Sequence, residues 1–158
     1  MRKKIIAIFL FSFLLTISMT GCKGLFDDSH SREEIIAYVN ENIEKIKTYE
    51  YDKAPKNNKE EERYIRQELG SYTIVKDVYL NNDNILEFSC GGTGLSTNST
   101  YSGFYFSKDN TPYGMDFAGC ELIEEEPGVF IWQNEDGSHK IYTERIMDNW
   151  FYYFEQYY

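Results

Sequence analysis

Apolar positions along the chain change their period once. Between Ser31 and Tyr49, Ile36, Val39, Ile43 and Ile46 recur at helical spacing, and Ile35 broadens the stripe. Ser31 followed by Glu34 forms a capping-box pattern, and Glu41 and Lys45 stand four apart in the favourable order. This predicts a helix from Arg32 to Tyr49. Residues 50–58, with Pro55 and the Asn57-Asn58 pair, read as a linker. A second helix is expected from Lys59 to Leu69, with Tyr64, Ile65 and Leu69 as its apolar strip and Gly70 as its stop.

After Gly70 the pattern alternates. Tyr72–Leu80, Ile85–Cys90, Tyr101–Ser107, Tyr113–Phe117, Cys120–Glu124, Val129–Trp132, Lys140–Ile146 and Asn149–Tyr157 are short and rich in aromatic and branched residues. Asn81–Asn84, Lys108–Asn110, Pro127-Gly128 and Asn134–Gly137 lie between them and have the composition of hairpin connections. No connection is long enough for a parallel crossover helix, so the strands predict an antiparallel β-meander. The fold class expected is α+β, an N-terminal helical layer packed on that sheet, with residues 31–158 as a single domain. One face of the sheet is then left open.

The start of the chain follows different rules. Arg2, Lys3 and Lys4 precede an apolar run, Ile5–Leu15, too short for a comfortable membrane span. Ser18-Met19-Thr20-Gly21-Cys22 then resembles the lipobox of bacterial lipoproteins, with Met19 where leucine is usual. That resemblance implies that residues 1–21 are a signal peptide, that Cys22 carries the lipid, and that residues 22–30 are a tether. The domain would sit on the extracytoplasmic face of a cell membrane, anchored by its lipid.

Charge narrows the partners. Whole-chain net charge is −10, and the signal segment takes three of the 16 basic residues, leaving 13 against 26 acidic ones. Nucleic acid needs a basic face and is excluded as a partner class. From Gly70 onward the chain holds 19 of its 27 aromatic residues. With one sheet face on the helices, the surplus predicts an aromatic, acidic surface on the other, carried by Trp132, Tyr142, Trp150, Tyr152 and Phe154. An acidic rim of that kind selects a basic protein or peptide.

Candidate chemistry adds little. Outside the cytosol, Cys90 and Cys120 are expected to form a disulfide, with two buried thiols as the alternative. A catalytic cysteine needs a base, and the two histidines, His30 and His139, lie in the tether and beside a turn. Neither has a metal partner at ligand spacing. Glu121 with Glu144, or Asp116 with Asp148, are the carboxylate pairs open to acid–base work, and nothing brings either pair together in sequence. Cys90–Gly94 lacks the Lys-Ser/Thr of a phosphate loop and is expected as a flexible hairpin loop reaching to Ser99-Thr100. No catalytic residue and no cofactor is expected.

Gly103–Asp116 and the closing Asn149–Tyr153 resemble a type of small lipoprotein found in Gram-positive gut bacteria, a likeness that implies no activity. The helix-then-sheet order is also similar to cystatin-like and NTF2-like exported domains, although the latter have fewer strands. The reading reached is a lipid-anchored binding domain engaging a protein or peptide partner, including an immunity or inhibitor protein. The alternative is a small-ligand receptor with a pocket between helix and sheet.

Overall fold

A computed structural model describes residues 29–47, 69, 73–81, 85–95, 98–114 and 120–158. The signal segment, most of the tether, the linker and the second helix apart from Leu69 lie outside the described residues.

Helix α1 (Arg32–Lys47) starts at the predicted cap. The Glu34 N–H donates to Ser31 Oγ at 3.2 Å, and the Ser31 N–H donates to Glu34 Oε2 at 2.9 Å. Its stripe buries Ile35, Val39 and Ile46, with Ile36 and Ile43 packed alongside. Seven strands follow: β1 (Asp77–Asn81), β2 (Ile85–Leu95), β3 (Asn98–Ser107), β4 (Ile123–Glu126), β5 (Val129–Gln133), β6 (His139–Met147) and β7 (Trp150–Tyr157). All pair antiparallel in one sheet of order β1-β2-β3-β7-β6-β5-β4.

This corrects the expected α+β architecture of a helical layer on a β-meander. The described chain is mainly β: one seven-stranded sheet and, among the described residues, one α-helix. Strand order departs from a meander because β3 pairs with β7 and β4 moves to the far edge. The physical reason for the β character is that both faces of the central strands are apolar, so the sheet builds two cores instead of one. Segment 91–94, expected as a loop, is strand as well. It accommodates a bulge between Ser89 and Gly92, with Gly91 and Gly94 at φ of 103° and 93°.

On the front face, Leu86, Phe88, Cys90, Phe104, Trp150 and Tyr152 share one core with Ile35, Val39 and Ile46 of α1. Phe88 stacks on Phe104 at 4.8 Å between ring centroids. On the rear face, Ile85, Tyr105, Phe151 and Tyr153 are buried, with Tyr113 and Phe130 against them. Tyr105 and Phe151 stack at 5.2 Å. Polar groups inside the rear core are paired in sequence: the Tyr113 N–H donates to Tyr105 Oη, Tyr105 Oη lies 2.8 Å from Thr143 Oγ1, and Thr143 Oγ1 donates to the Tyr152 carbonyl. Because Thr143 spends its proton on that carbonyl, Tyr105 is the donor between the two hydroxyls.

Two features hold β3 against β7. Gly103 sits under the Tyr153 ring, and a Cβ there would collide with the Phe88 carbonyl oxygen and lie 2.8 Å from Tyr153 Cε1. At the strand ends, Asn149 takes φ of 66°, a conformation asparagine tolerates, and its Nδ2 donates to the Ser107 carbonyl at 2.7 Å. Its N–H donates to Asn110 Oδ1 at 2.8 Å, so the turns after β3 and β6 are locked to each other.

Candidate binding site

The first turn of α1 is fastened to β6 by a forked ion pair. Arg32 Nε donates to Glu144 Oε2 at 2.6 Å and Arg32 Nη2 to Glu144 Oε1 at 2.5 Å. Tyr142 Oη donates to the same carboxylate at 2.8 Å. These bonds, that from Arg32 foremost, hold the Glu144 carboxyl below its ordinary pKa. Partial burial, with the neighbouring carboxylate, pushes the Tyr142 phenol up. Beside the pair runs an open groove of about 430 Å³, lined by Arg32, Glu33, Ile36, Asn40, Glu144 and Ile146 among others. Helical spacing on α1 and alternation on β6 aim these residues at one another.

The five residues expected to form one aromatic surface are divided between the two faces. Trp150 and Tyr152 lie on the front face, each only 4% exposed, inside the core under α1. Tyr142 and Phe154 share that face but are half-buried at its flank, with Tyr142 edge-on to Tyr152 at 6.1 Å. Trp132 points to the rear, edge-on to His139 at 5.2 Å. Rear burial by Tyr105, Phe151, Tyr153 and Tyr113 means that the open sheet face expected from sequence is a second core.

Tyr79, Tyr101, Ile123 and Tyr158 are the large apolar side chains left exposed among the described residues, and the most exposed of them lies on β4. Register places Ile123, Ile131, Tyr142 and Phe154 in one cross-strand row on the front face. Ile123, at the outer end of the row, is 66% exposed. Glu124, Glu125 and Glu126 complete β4, and every residue of that strand is exposed. Glu124 is partly engaged within the fold: its Oε1 accepts from the Gly128 N–H at 2.9 Å and braces the β4–β5 turn, where Gly128 has φ of 82°. Ile123 was legible as a strand residue but not as an exposed one, because its exposure depends on β4 being outermost.

Rear-face carboxylates are occupied with structure. His139 Nε2 and Glu155 Oε1 lie 2.8 Å apart, both side chains buried, and Tyr157 Oη donates to the same oxygen at 3.0 Å. The His139 ring stacks on Tyr157 at 4.3 Å. Tyr153 Oη donates to Glu87 Oε1 at 2.6 Å, and burial drives that phenol's pKa well up. The His139–Glu155 pair escapes a reading of spacing alone. It follows only from the β6–β7 register, in which His139 opposes Tyr157 and Ile141 opposes Glu155.

Cys90 and Cys120, expected as a disulfide or as two buried thiols, are free thiols in the structure. Strand alternation puts Cys90 in the front core, whereas Cys120 packs beside Gly114 and Ile141 behind the sheet. Burial raises both thiols above their ordinary pKa. Of the carboxylate pairs, Glu121 is exposed while Glu144 is bound to Arg32. Asp116 and Cys22 lie outside the described residues. Among the described residues there is no group of three or more His, Cys, Asp or Glu side chains arranged to hold a metal ion. No helix among them is long and apolar enough to cross a membrane.

No family model, curated protein or solved structure matches the chain. Among the described residues the chain is a two-core antiparallel sheet with one covering α-helix and an acidic, partly apolar edge.

Proposed function

We propose that this chain is a lipid-anchored binding domain on the extracytoplasmic face of a cell membrane, where it holds a basic protein or peptide partner without turnover. The observation that carries the reading is the β4 end of the sheet, where exposed Ile123 adjoins Glu124, Glu125 and Glu126. Apolar area there supplies contact, and the carboxylates supply selection and steering toward cations. The anchor rests on Gly21-Cys22 and the apolar run before it. With the signal segment removed, 13 basic against 26 acidic residues leave a net charge of −13, which keeps the domain off anionic headgroups and leaves the lipid to hold it.

One observation favours a second reading, a small-ligand receptor. The groove between α1 and β6, at about 430 Å³, reaches the size of ligand pockets and has Arg32, Glu33, Asn40 and Glu144 as polar lining.

Affinity capture from the native envelope at low and high salt tests the first reading. A basic partner retained by the wild-type chain at low salt, weakened at high salt and lost with Glu125→Lys/Glu126→Lys supports it. Salt-independent capture, or capture unaffected by the charge reversal, defeats it. For the anchor, labelled fatty acid should appear on the wild-type chain and be absent from Cys22→Ser.

A further inference from the structure

We propose that β4 is the site of strand addition: a cationic, extended polypeptide segment pairs with the outer edge of β4 as an eighth strand. The inference rests on the proposed binding role and assigns it a place and a mode.

Three observations point to this edge. β4 is the terminal strand of the sheet, so among the described residues no strand pairs with the backbone N–H and C=O groups on its outer side. Its four residues are all exposed, with a register shift between Glu124 and Glu126. Its side chains match one occupant. Ile123 is 66% exposed and continues the front-face row through Ile131 and Tyr142, offering an incoming strand an apolar neighbour in register. Glu125 and Glu126 follow at once, where lysine or arginine on that strand would face them.

Charge also decides against a second copy of this chain. Antiparallel pairing of β4 with β4 would set glutamates against glutamates, which is destabilising in a sheet. An acidic edge therefore resists its own kind while admitting a basic strand. The opposite edge, β1, carries Asp77 and the exposed Tyr79 without a comparable run of acids.

The test uses the full-length chain in detergent with three synthetic peptides. One alternates lysine and valine, one has the same sequence N-methylated at alternate residues, and one alternates glutamate and valine. Binding is followed by titration, and the contact by hydrogen exchange. Strand addition predicts that the lysine peptide slows exchange across residues 123–126, that the glutamate peptide does not bind, and that N-methylation weakens binding about tenfold by removing backbone hydrogen bonds. Glu125→Lys/Glu126→Lys should abolish binding of the lysine peptide while leaving thermal unfolding unchanged. Equal binding of the methylated and unmethylated lysine peptides would overturn strand addition yet leave a charge-selective binding domain standing. Protection at β1 instead of β4, or no binding of the lysine peptide, also overturns it. The envelope capture then decides separately whether the broader binding role fails.

Discussion

Arg32 and Glu144, 112 residues apart, meet in a forked ion pair that ties the first turn of α1 to β6 beside the groove. Arg32 is 41% and Glu144 18% exposed, so solvent screens the pair and its worth is no more than about 1 kcal/mol. Glu144 is held below its ordinary pKa of 4.5 chiefly by Arg32. A depressed carboxyl contributes stability that is fully present above the unfolded value and is lost as pH falls through the folded one. Asp109, held by Ser107, shifts in the same direction. The denaturation midpoint should therefore fall as pH drops below about 5, and Arg32→Met should flatten that part of the profile. An unchanged profile in the variant would remove the ion pair from the account.

Thr143→Val should destabilise the chain by about 1–3 kcal/mol in urea unfolding, because it removes the acceptor for buried Tyr105 and the donor to the Tyr152 carbonyl. Tyr105→Phe should cost a similar amount, since the Tyr113 N–H also loses its acceptor. Additive losses in the double variant would show that the two hydroxyls do not act together.

Gly103→Ala should cost about 2–3 kcal/mol or abolish folding, because the methyl has the Phe88 carbonyl and the Tyr153 ring in its way. Gly103→Ala combined with Tyr153→Ala should not restore stability, as the collision with the backbone remains. Thermal unfolding of the purified chains is the measurement.

A double-mutant cycle between His139 and Glu155 should report coupling of about 2 kcal/mol, larger than an exposed pair gives, because both side chains are buried. Coupling near zero would place the weight of the contact on the His139–Tyr157 stack instead.

Thiol labelling in denaturant without reductant should find both Cys90 and Cys120 reactive. In the native state Cys90, with no exposed surface, should label far more slowly than the half-buried Cys120. A mass without two labels on these residues would restore the bridge.

Local pattern was legible wherever one segment decided its own state. Ser31, Glu34 and the Ile36–Val39–Ile43–Ile46 spacing led directly to α1, and the alternating aromatics marked β2, β3, β6 and β7 within a few residues. Cys90–Gly94 misled because glycine suggests a loop, whereas Gly91 and Gly94 let a bulged strand continue. Trp150 and Tyr152 misled for another reason: alternation separates two faces without saying what covers either. The fold puts Cys90 in the front core and Cys120 behind the sheet, a placement no local spacing encodes.

The amino-acid order by itself determined the helix and its cap, most of the strands, the acidic balance and the expectation of a lipid at Cys22, because each depends on neighbours within a few bonds or on composition. Tertiary structure alone decided that β3 pairs with β7, that the rear face is a second core, and that β4 is left at the edge with Ile123 and its glutamates in solvent. Strand order is set by which faces bury together across the whole sheet, a sum over distant contacts that no local period encodes.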